Sequence, residues 1–210
     1  MMNIFTEHVQ SRGEKRDATR RKVLAAAETL FREHGFAATA IRQIASTAQV
    51  SVGTVMAVGD KDALLVAVFD EWIAEVHRQR SLSPPPDEPL APADAVPVVL
   101  DLFVPFVAYF LQDQELSREY AAVIVRGKRG SDIFGGLAVT LVAELEATFR
   151  RAGLNADDAG RGARTVYFAY LGLLLTAGNQ ASVGGSEVDQ LREVIELVLD
   201  RAHNRQGGQQ

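Results

Sequence analysis

The chain contains no cysteine among its 210 residues, and this absence removes two classes of site. Neither a disulfide framework nor a cysteine-ligated metal centre can form. The four histidines lie far apart without an HExxH spacing, and no nucleophile elbow, P-loop or dinucleotide-binding fingerprint occurs. We therefore expect a protein that is not an enzyme and that holds neither a metal nor a cofactor.

Long hydrophobic runs are also missing. The longest uncharged segment is apolar only over residues 166–177, and the apolar run over 98–111 is interrupted by Asp101 and Pro105. Both are shorter than the roughly 20 apolar residues of a membrane-spanning helix, so we expect buried helices and no membrane contact. The first residues, MMNIFTEHVQSRGEKR, lack the apolar core of a secretion signal, which favours the cytoplasm.

The charges are unevenly distributed. Residues 1–61 carry nine Lys or Arg against six Asp or Glu, a net charge of +3, whereas the remainder carries 13 against 21, a net charge of −8. A small basic module on an acidic body can present a polyanion site, although basic clusters are more often ordinary solvated surface.

Helical periodicity dominates the first 80 residues. A helix is predicted over 18–34, beginning at Asp17 or Thr19 and ending at Gly35, because apolar residues recur at helical spacing at Val23, Ala27, Leu30 and Phe31. Two short helices follow, the first capped by Thr39 and the second, over 52–57, capped by Ser51. With the turn at Gln49 and Val50, they form a helix-turn-helix unit. Asp60 caps a longer helix over 61–80.

A proline-rich segment divides the chain, since five of the seven prolines lie within residues 81–92. We expect an all-α protein with a flexible arm over 1–16, a helix-turn-helix domain over 17–64, a connecting helix over 65–80, a linker over 81–92, a helical C-terminal domain over 93–204 and a disordered tail over 205–210. The predicted C-terminal helices are 94–112, 114–127, 132–152, 157–181 and 187–203. Pro105 either kinks the first of these or breaks it in two.

The segment TRRKVLAAAETLFREHGFAATAIRQIASTAQVSVGT, residues 19–54, resembles the DNA-binding half of TetR/AcrR-type bacterial transcription regulators. The matching residues, spread over about 45 positions, are Leu30, Phe31, Glu33, Gly35, Phe36, Thr39, Ile41, Ile44, Ala45, Val50, Ser51, Gly53, Thr54, Lys61, Ala63 and Leu64. The resemblance implies a homodimer that docks on a palindromic DNA operator, and a C-terminal domain that binds a small effector and changes the spacing of the two DNA-binding heads.

The resemblance also assigns roles in DNA binding. Arg42 and Gln43 can reach phosphates or base edges, and the first turn of the second short helix enters the major groove with Ser51, Val52, Gly53 and Thr54. Arg20, Thr39 and Lys61 are expected to hold phosphates. Arg42 could instead be an ordinary solvated side chain.

Three features depart from the family pattern. Gln49 occupies a turn position that usually holds glycine and suits positive φ, Met56 stands where a tyrosine is usual, and the loop at Val58 and Gly59 is one residue short and lacks the usual aromatic or histidine residues. Met56 either contacts thymine methyl groups or packs inward. An alternative function is therefore a dimeric small-molecule-binding or interaction module whose head no longer recognises specific DNA.

The C-terminal domain offers candidate sites of a different kind. Aromatic residues there are core more often than pocket, but as a set they can line an apolar effector cavity, with Phe106, Tyr109, Phe110, Tyr120 and Tyr167 as candidates. The last two helices carry more apolar residues than one face needs, which predicts a two-fold interface at Leu171, Leu174, Leu191, Val194, Ile195 and Val198.

Overall fold

A computed structural model describes residues 4–81, 88–126, 132–176 and 186–207. Within these ranges all regular secondary structure is α-helical. The nine helices are α1 Ile4–His34, α2 Ile41–Thr47, α3 Val52–Val58, α4 Lys61–Ser81, α5 Pro92–Gln112, α6 Gln114–Val125, α7 Asp132–Arg151, α8 Ala156–Thr176 and α9 Glu187–Gly207. The predicted all-α fold class is confirmed.

Local capping explains most helix boundaries. Gly35 adopts φ 81 directly after α1 and Gly153 adopts φ 92 after α7, which is the left-handed conformation that ends a helix. At the other ends, Asp60 Oδ1 accepts a hydrogen bond from the Ala63 N–H at 2.9 Å, and Ser186 Oγ accepts one from the Asp189 N–H at 3.2 Å. Gly35 and Asp60 act as the sequence predicts.

Both ends of the chain are more helical than predicted. The helix α1 begins at Ile4, within the segment 1–16 that was predicted to be a flexible arm, so the start signals assigned to Asp17 and Thr19 are wrong. The Thr19 hydroxyl instead donates to the Lys15 carbonyl at 2.8 Å within the helix. At the other end α9 continues to Gly207, into the predicted tail. Residues 82–87, most of the predicted linker, and 208–210 lie outside the described residues.

The chain divides into two compact units, and the division differs from the predicted one. The first unit comprises residues 1–72 and 118–129, and the second comprises 73–117 and 130–210. The boundary therefore falls within α4, upstream of the expected linker, and the end of α6 groups with the N-terminal helices. In the first unit, Phe69 of α4 stacks on Tyr120 of α6, with ring centroids 4.2 Å apart.

The second unit is built around α5. This helix is continuous through Pro105, so the predicted break is wrong, and nine of its residues are buried. It contacts α7, α8 and α9. It is also the one helix in the described ranges that is long and apolar enough to cross a membrane, and half of that apolar stretch is buried inside the protein.

Candidate nucleic-acid interface and internal cavity

The turn between α2 and α3 has the geometry of a helix-turn-helix. Residues 48–51 connect the two helices, and Gln49 adopts φ 55, which confirms that this position needs a left-handed backbone. Ser51 caps α3, because its Oγ accepts a hydrogen bond from the Thr54 N–H at 3.0 Å. The same oxygen lies 2.9 Å from Thr54 Oγ1, so the two hydroxyl groups are hydrogen-bonded to each other.

The exposed face of α3 is mainly apolar. Val52 is 43% exposed and Met56 is 51% exposed, whereas Val55 on the opposite face is fully buried. The alternative in which Met56 packs inward is therefore wrong. A Cβ added at Gly53 would meet only Ser51 Oγ, at 3.7 Å, so internal packing does not require glycine at this position. The first two turns of α3 present backbone, methyl groups and a thioether to the exterior.

Thr39 does not cap α2, and this prediction was wrong. The helix begins one residue later, with Ala40 as the capping residue. The Thr39 side chain is 2% exposed, and its hydroxyl lies 2.9 Å from the Gly35 carbonyl and 3.1 Å from the Leu30 carbonyl, to which it donates. The hydroxyl thus ties the end of α1 to the start of the helix-turn-helix and is turned away from solvent.

Lys61 is also held internally. Its Nζ donates to the carbonyls of Ala37 at 3.1 Å and Thr39 at 3.0 Å, and lies 4.5 Å from the centre of the Phe36 ring. These contacts fix the segment between α1 and α2 against the start of α4. They also explain a lysine at a helix N-terminus, a position that the helix dipole disfavours.

The remaining polar candidates are exposed. Arg42 is exposed on α2 and makes no hydrogen bond or ion pair within the described residues. Gln43 is exposed too, and its Oε1 accepts a hydrogen bond from the Ala40 N–H at 2.7 Å. Arg20 pairs with Glu71 at 3.3 Å, with both side chains about 40% exposed. Of the three cations predicted to contact DNA, Arg20, Arg42 and Lys61, Arg42 thus has the fewest competing contacts.

A cavity of about 40 Å³ lies within the second unit. Three of the five predicted pocket residues line it, namely Phe106, Phe110 and Tyr167. Tyr109 is buried without lining it, and Tyr120 belongs to the first unit, where it stacks on Phe69, so the structure does not bring these two residues together with the other three. The other lining residues are Ile73, His77, Ala138, Leu141, Tyr170, Leu171 and Leu174.

Sequence reasoning missed His77, although a usable signal existed. His77 follows Ile73 by one helical turn on α4, so both lie on the buried stripe of that helix. Its ring packs 5.3 Å from that of Phe106. Burial, assisted by the nearby positive charge of Arg80, lowers the pKa of His77 from 6.5 to about 4, so the imidazole is neutral near pH 7.

Two charged groups lie near the cavity without lining it. Arg80 and Glu144 form a hydrogen-bonded ion pair, and Arg80 also donates to the Leu102 carbonyl at 3.3 Å. Burial raises the pKa of Glu144 in spite of the opposing effect of Arg80. Burial likewise raises the pKa of the Tyr167 phenol.

The predicted subunit interface requires two corrections. Leu191 is 1% exposed and Ile195 is fully buried within the single chain, so neither side chain can reach a second subunit. Val194 and Val198 are half-buried, and Leu171 and Leu174 line the cavity. The large apolar side chains that α8 and α9 expose are instead Phe168 at 65%, Leu175 at 48% and Leu197 at 53%.

Comparison with known proteins agrees with this architecture. Residues 23–68 match the family model described as bacterial regulatory proteins, tetR family, so this part of the chain is a tetR-type helix-turn-helix domain. No curated protein matches the sequence.

Solved structures of similar fold extend over most of the chain. A TetR transcriptional regulator from Rhodococcus sp. RHA1 has a TM-score of 0.61 at 20% identity, covering 87% of this chain and 96% of its own. Thermus thermophilus FadR, a TetR-family repressor in complex with lauroyl-CoA, has a TM-score of 0.62 at 21% identity, covering 86% and 93%. SmeT, the repressor of a Stenotrophomonas maltophilia multidrug efflux pump, has a TM-score of 0.51 at 24% identity, covering 89% of both chains. Most of the chain therefore has the fold seen in these TetR-family regulators.

Proposed function

We propose that this chain, whose residues 23–68 form a tetR-type DNA-binding domain, is a transcriptional repressor. It binds a palindromic operator as a homodimer and is released by a small-molecule effector bound in the C-terminal cavity. The observation that carries the proposal is the outward side of the first two turns of α3, where Val52, Gly53 and Met56 are exposed. An apolar face at the end of a recognition helix that enters the groove is more favourable in contact with the major groove than in contact with water.

The proposed DNA contacts rest mainly on α2 and α3. Arg42 supplies the positive charge, Gln43 supplies amide donors, and Val52, Thr54 and Met56 supply apolar groups for thymine methyls. Gly53 allows the backbone to approach the bases. Arg20 can bind a phosphate only if its ion pair with Glu71 breaks. Lys61 contributes by positioning the segment before α2.

The competing function is a dimeric small-molecule-binding or interaction module that has lost specific DNA recognition. Two observations favour it. The Thr39 hydroxyl is buried, and Lys61 donates to two backbone carbonyls, so two of the groups expected to hold phosphates are occupied elsewhere. Each lost phosphate contact flattens the dependence of log K on log salt by roughly 0.9.

Binding to DNA from upstream of the protein's own gene, measured by fluorescence anisotropy at several salt concentrations, separates the two functions. The repressor requires saturable binding to a palindrome that Arg42→Ala weakens, whereas Arg192→Ala on the exposed face of α9 leaves it unchanged. Gly53→Ala tests DNA contact more directly, because its added methyl group meets no atom closer than 3.7 Å within the protein and so does not disturb the fold.

The Gly53→Ala protein should therefore fold normally and bind the operator weakly. Gly136→Ala on α7, where an added methyl also meets open space, is the matched control and should bind normally. Sequence-independent binding that moderate salt abolishes in all proteins would support the competing function instead.

A further inference from the structure

The outward surface of α3 offers almost no hydrogen-bonding side chain. The exposed residues of this helix are Val52, Gly53, Met56 and Ala57. None of their side chains carries an N–H or O–H group, and the Met56 sulfur is only a weak acceptor. The flanking hydroxyls of Ser51 and Thr54 are bonded to each other at 2.9 Å, and Ser51 Oγ also accepts the Thr54 N–H at 3.0 Å. The side-chain surface that α3 presents therefore consists mainly of methyl, methylene and thioether groups.

Such a surface can distinguish only one feature of a pyrimidine in the major groove. Thymine presents an O4 acceptor and a C5-methyl group, whereas cytosine presents an N4 donor and a hydrogen at C5. An apolar side chain forms no hydrogen bond with O4 or with N4, but it gains free energy by burying the methyl group. 5-Methylcytosine carries that methyl group at the same ring position. The substituent at C5 is thus what α3 can detect.

The neighbouring helix α2 carries the polar groups that α3 lacks. Arg42 and Gln43 are both exposed there, and Arg42 makes no hydrogen bond or ion pair within the described part of the chain. Their N–H groups can donate to the N7 atom of a purine or to the O6 atom of guanine. Because α2 and α3 pack against each other, polar and apolar readout belong to two adjacent helices of one unit. A change of pyrimidine that keeps the methyl group leaves the apolar contacts intact.

We infer that α3 recognises the C5-methyl group of a pyrimidine whether the base is thymine or 5-methylcytosine, and that C5-methylation of a cytosine facing Val52 or Met56 strengthens operator binding. The inference rests on the proposed function, since it takes α3 as the helix that enters the major groove. Methylation of the operator then acts as a second input on this protein, separate from its effector.

Synthetic operator duplexes test the inference by fluorescence anisotropy. The operator is first selected from a library of random duplexes, and each thymine of one half-site is then replaced in turn. The replacements are deoxyuridine opposite adenine, and cytosine or 5-methylcytosine opposite guanine. At a thymine that α3 contacts, deoxyuridine should bind about fourfold more weakly, which corresponds to the loss of one buried methyl group. At the same position 5-methylcytosine should bind about fourfold more tightly than cytosine, because the two bases differ only in that methyl group.

Two variants identify the side chains that contact the methyl group. Met56→Ala and Val52→Ala should each abolish the difference between cytosine and 5-methylcytosine at the position that the lost side chain contacts. Both side chains are exposed, so their removal loses little internal packing, and circular dichroism with thermal unfolding first establishes that each variant is folded. Val139→Ala, which shortens an exposed valine on α7, is the matched control and should keep the full difference.

Three results would overturn the inference while the proposed function stands. The first is equal binding of the cytosine and 5-methylcytosine duplexes at every position, and the second is weaker binding of the 5-methylcytosine duplex wherever deoxyuridine weakens binding. The third is a methyl effect that persists unchanged in both variants, which would place the contact outside α3. A selection that enriches no sequence would instead defeat the proposed function, and the inference with it.

Discussion

At the scale of single residues, the turn of the helix-turn-helix carries a backbone conformation that its side chain disfavours. Gln49 is the one non-glycine residue in the described ranges with positive φ, at 55°. A side chain in the left-handed region costs about 1 kcal/mol relative to glycine. The Gln49 side chain is exposed, so removing it loses little packing.

Gln49→Gly should therefore raise the free energy of unfolding by about 1 kcal/mol, measured by urea denaturation. Ala48→Gly is the matched control, because Ala48 is right-handed with φ −75 and should lose stability. An unchanged or lowered stability for Gln49→Gly would show that the positive φ of Gln49 does not strain the backbone.

A second prediction at this scale concerns Met56 and the base that it would contact in the proposed DNA complex. Its exposed thioether carries no charge and one weak acceptor, so in that complex it can distinguish bases only by apolar contact. The thymine methyl group is the apolar feature of the major groove.

Replacing a contacted thymine by deoxyuridine should weaken operator binding about fourfold, which corresponds to one buried methyl group at about 0.8 kcal/mol. In Met56→Ala the same replacement should have little effect. Position-by-position replacement across one half-site, measured by anisotropy, checks this, and equal sensitivity of the two proteins would remove Met56 from the thymine contact.

At the scale of helices, one glycine sets how closely α8 approaches α9. A Cβ added at Gly162 would lie 2.6 Å from Val198 Cγ1 and 3.5 Å from the Phe149 ring. Gly162→Ala should destabilise the fold by roughly 1–3 kcal/mol, because a methyl group in a filled contact forces the helices apart. Chemical denaturation measures the loss.

The double variant Gly162→Ala, Val198→Ala should recover part of that loss, since it removes the atom that clashes. Gly136→Ala, which meets open space on α7, should not be destabilised. If Gly162→Ala behaves like Gly136→Ala, the two helices are not held at this distance.

The helices were predictable to within a few residues where their caps are local. Ser51, Asp60 and Ser186 each bond an N–H three residues ahead, so sequence spacing alone identifies them. Thr39 fails the same test because its acceptors belong to the end of α1, nine and four residues earlier. Thr39 has the residue type and position of a helix cap, but its hydroxyl is hydrogen-bonded to carbonyls at the end of α1 instead.

Helix faces were predictable only as apolar stripes. Leu191 and Ile195 mark a stripe correctly, but periodicity does not distinguish burial within a chain from burial between two chains. Tyr120 was placed with the C-terminal aromatics for the same reason, since nothing in its sequence neighbourhood indicates that it stacks on Phe69. The cavity required coordinates, because four helices contribute residues to it.

At the scale of the whole molecule, His77 couples the stability of the fold to pH. Its pKa falls from 6.5 to about 4 on folding, so between these values the unfolded chain binds more protons. Stability from this residue is complete above pH 6.5 and is lost as pH falls towards 4, by up to about 3 kcal/mol. Glu144 acts in the opposite direction, because its raised pKa favours the folded state at low pH.

The comparison of the native chain with His77→Leu isolates the histidine. Urea denaturation between pH 4 and 7 should show the native chain losing stability relative to the variant as the pH falls. His34→Leu, which changes an exposed histidine outside the cavity, is the control. A difference between the native chain and His77→Leu that does not change with pH would mean that His77 titrates alike in the folded and unfolded states.

Assembly belongs to the same scale, because a palindromic operator needs two heads held together. Within the described residues, Phe168 and Leu175 lie seven residues apart on one exposed face of α8, and Leu197 is exposed on α9, which contacts α8. These side chains, and not Leu191 or Ile195, form the interface we propose. An aromatic side chain buried in such an interface removes roughly 150–250 Å² from water.

Phe168→Asp should therefore convert the dimer to a monomer at micromolar concentration in sedimentation, and it should weaken operator binding by at least about a hundredfold, because one head then binds alone. Val139→Asp, at a 72% exposed position on α7, makes a comparable change outside the proposed interface and should leave the dimer intact. A Phe168→Asp protein that remains dimeric would place the two-fold contact elsewhere. A native protein that is already monomeric yet binds the full palindrome tightly would refute the dimer itself.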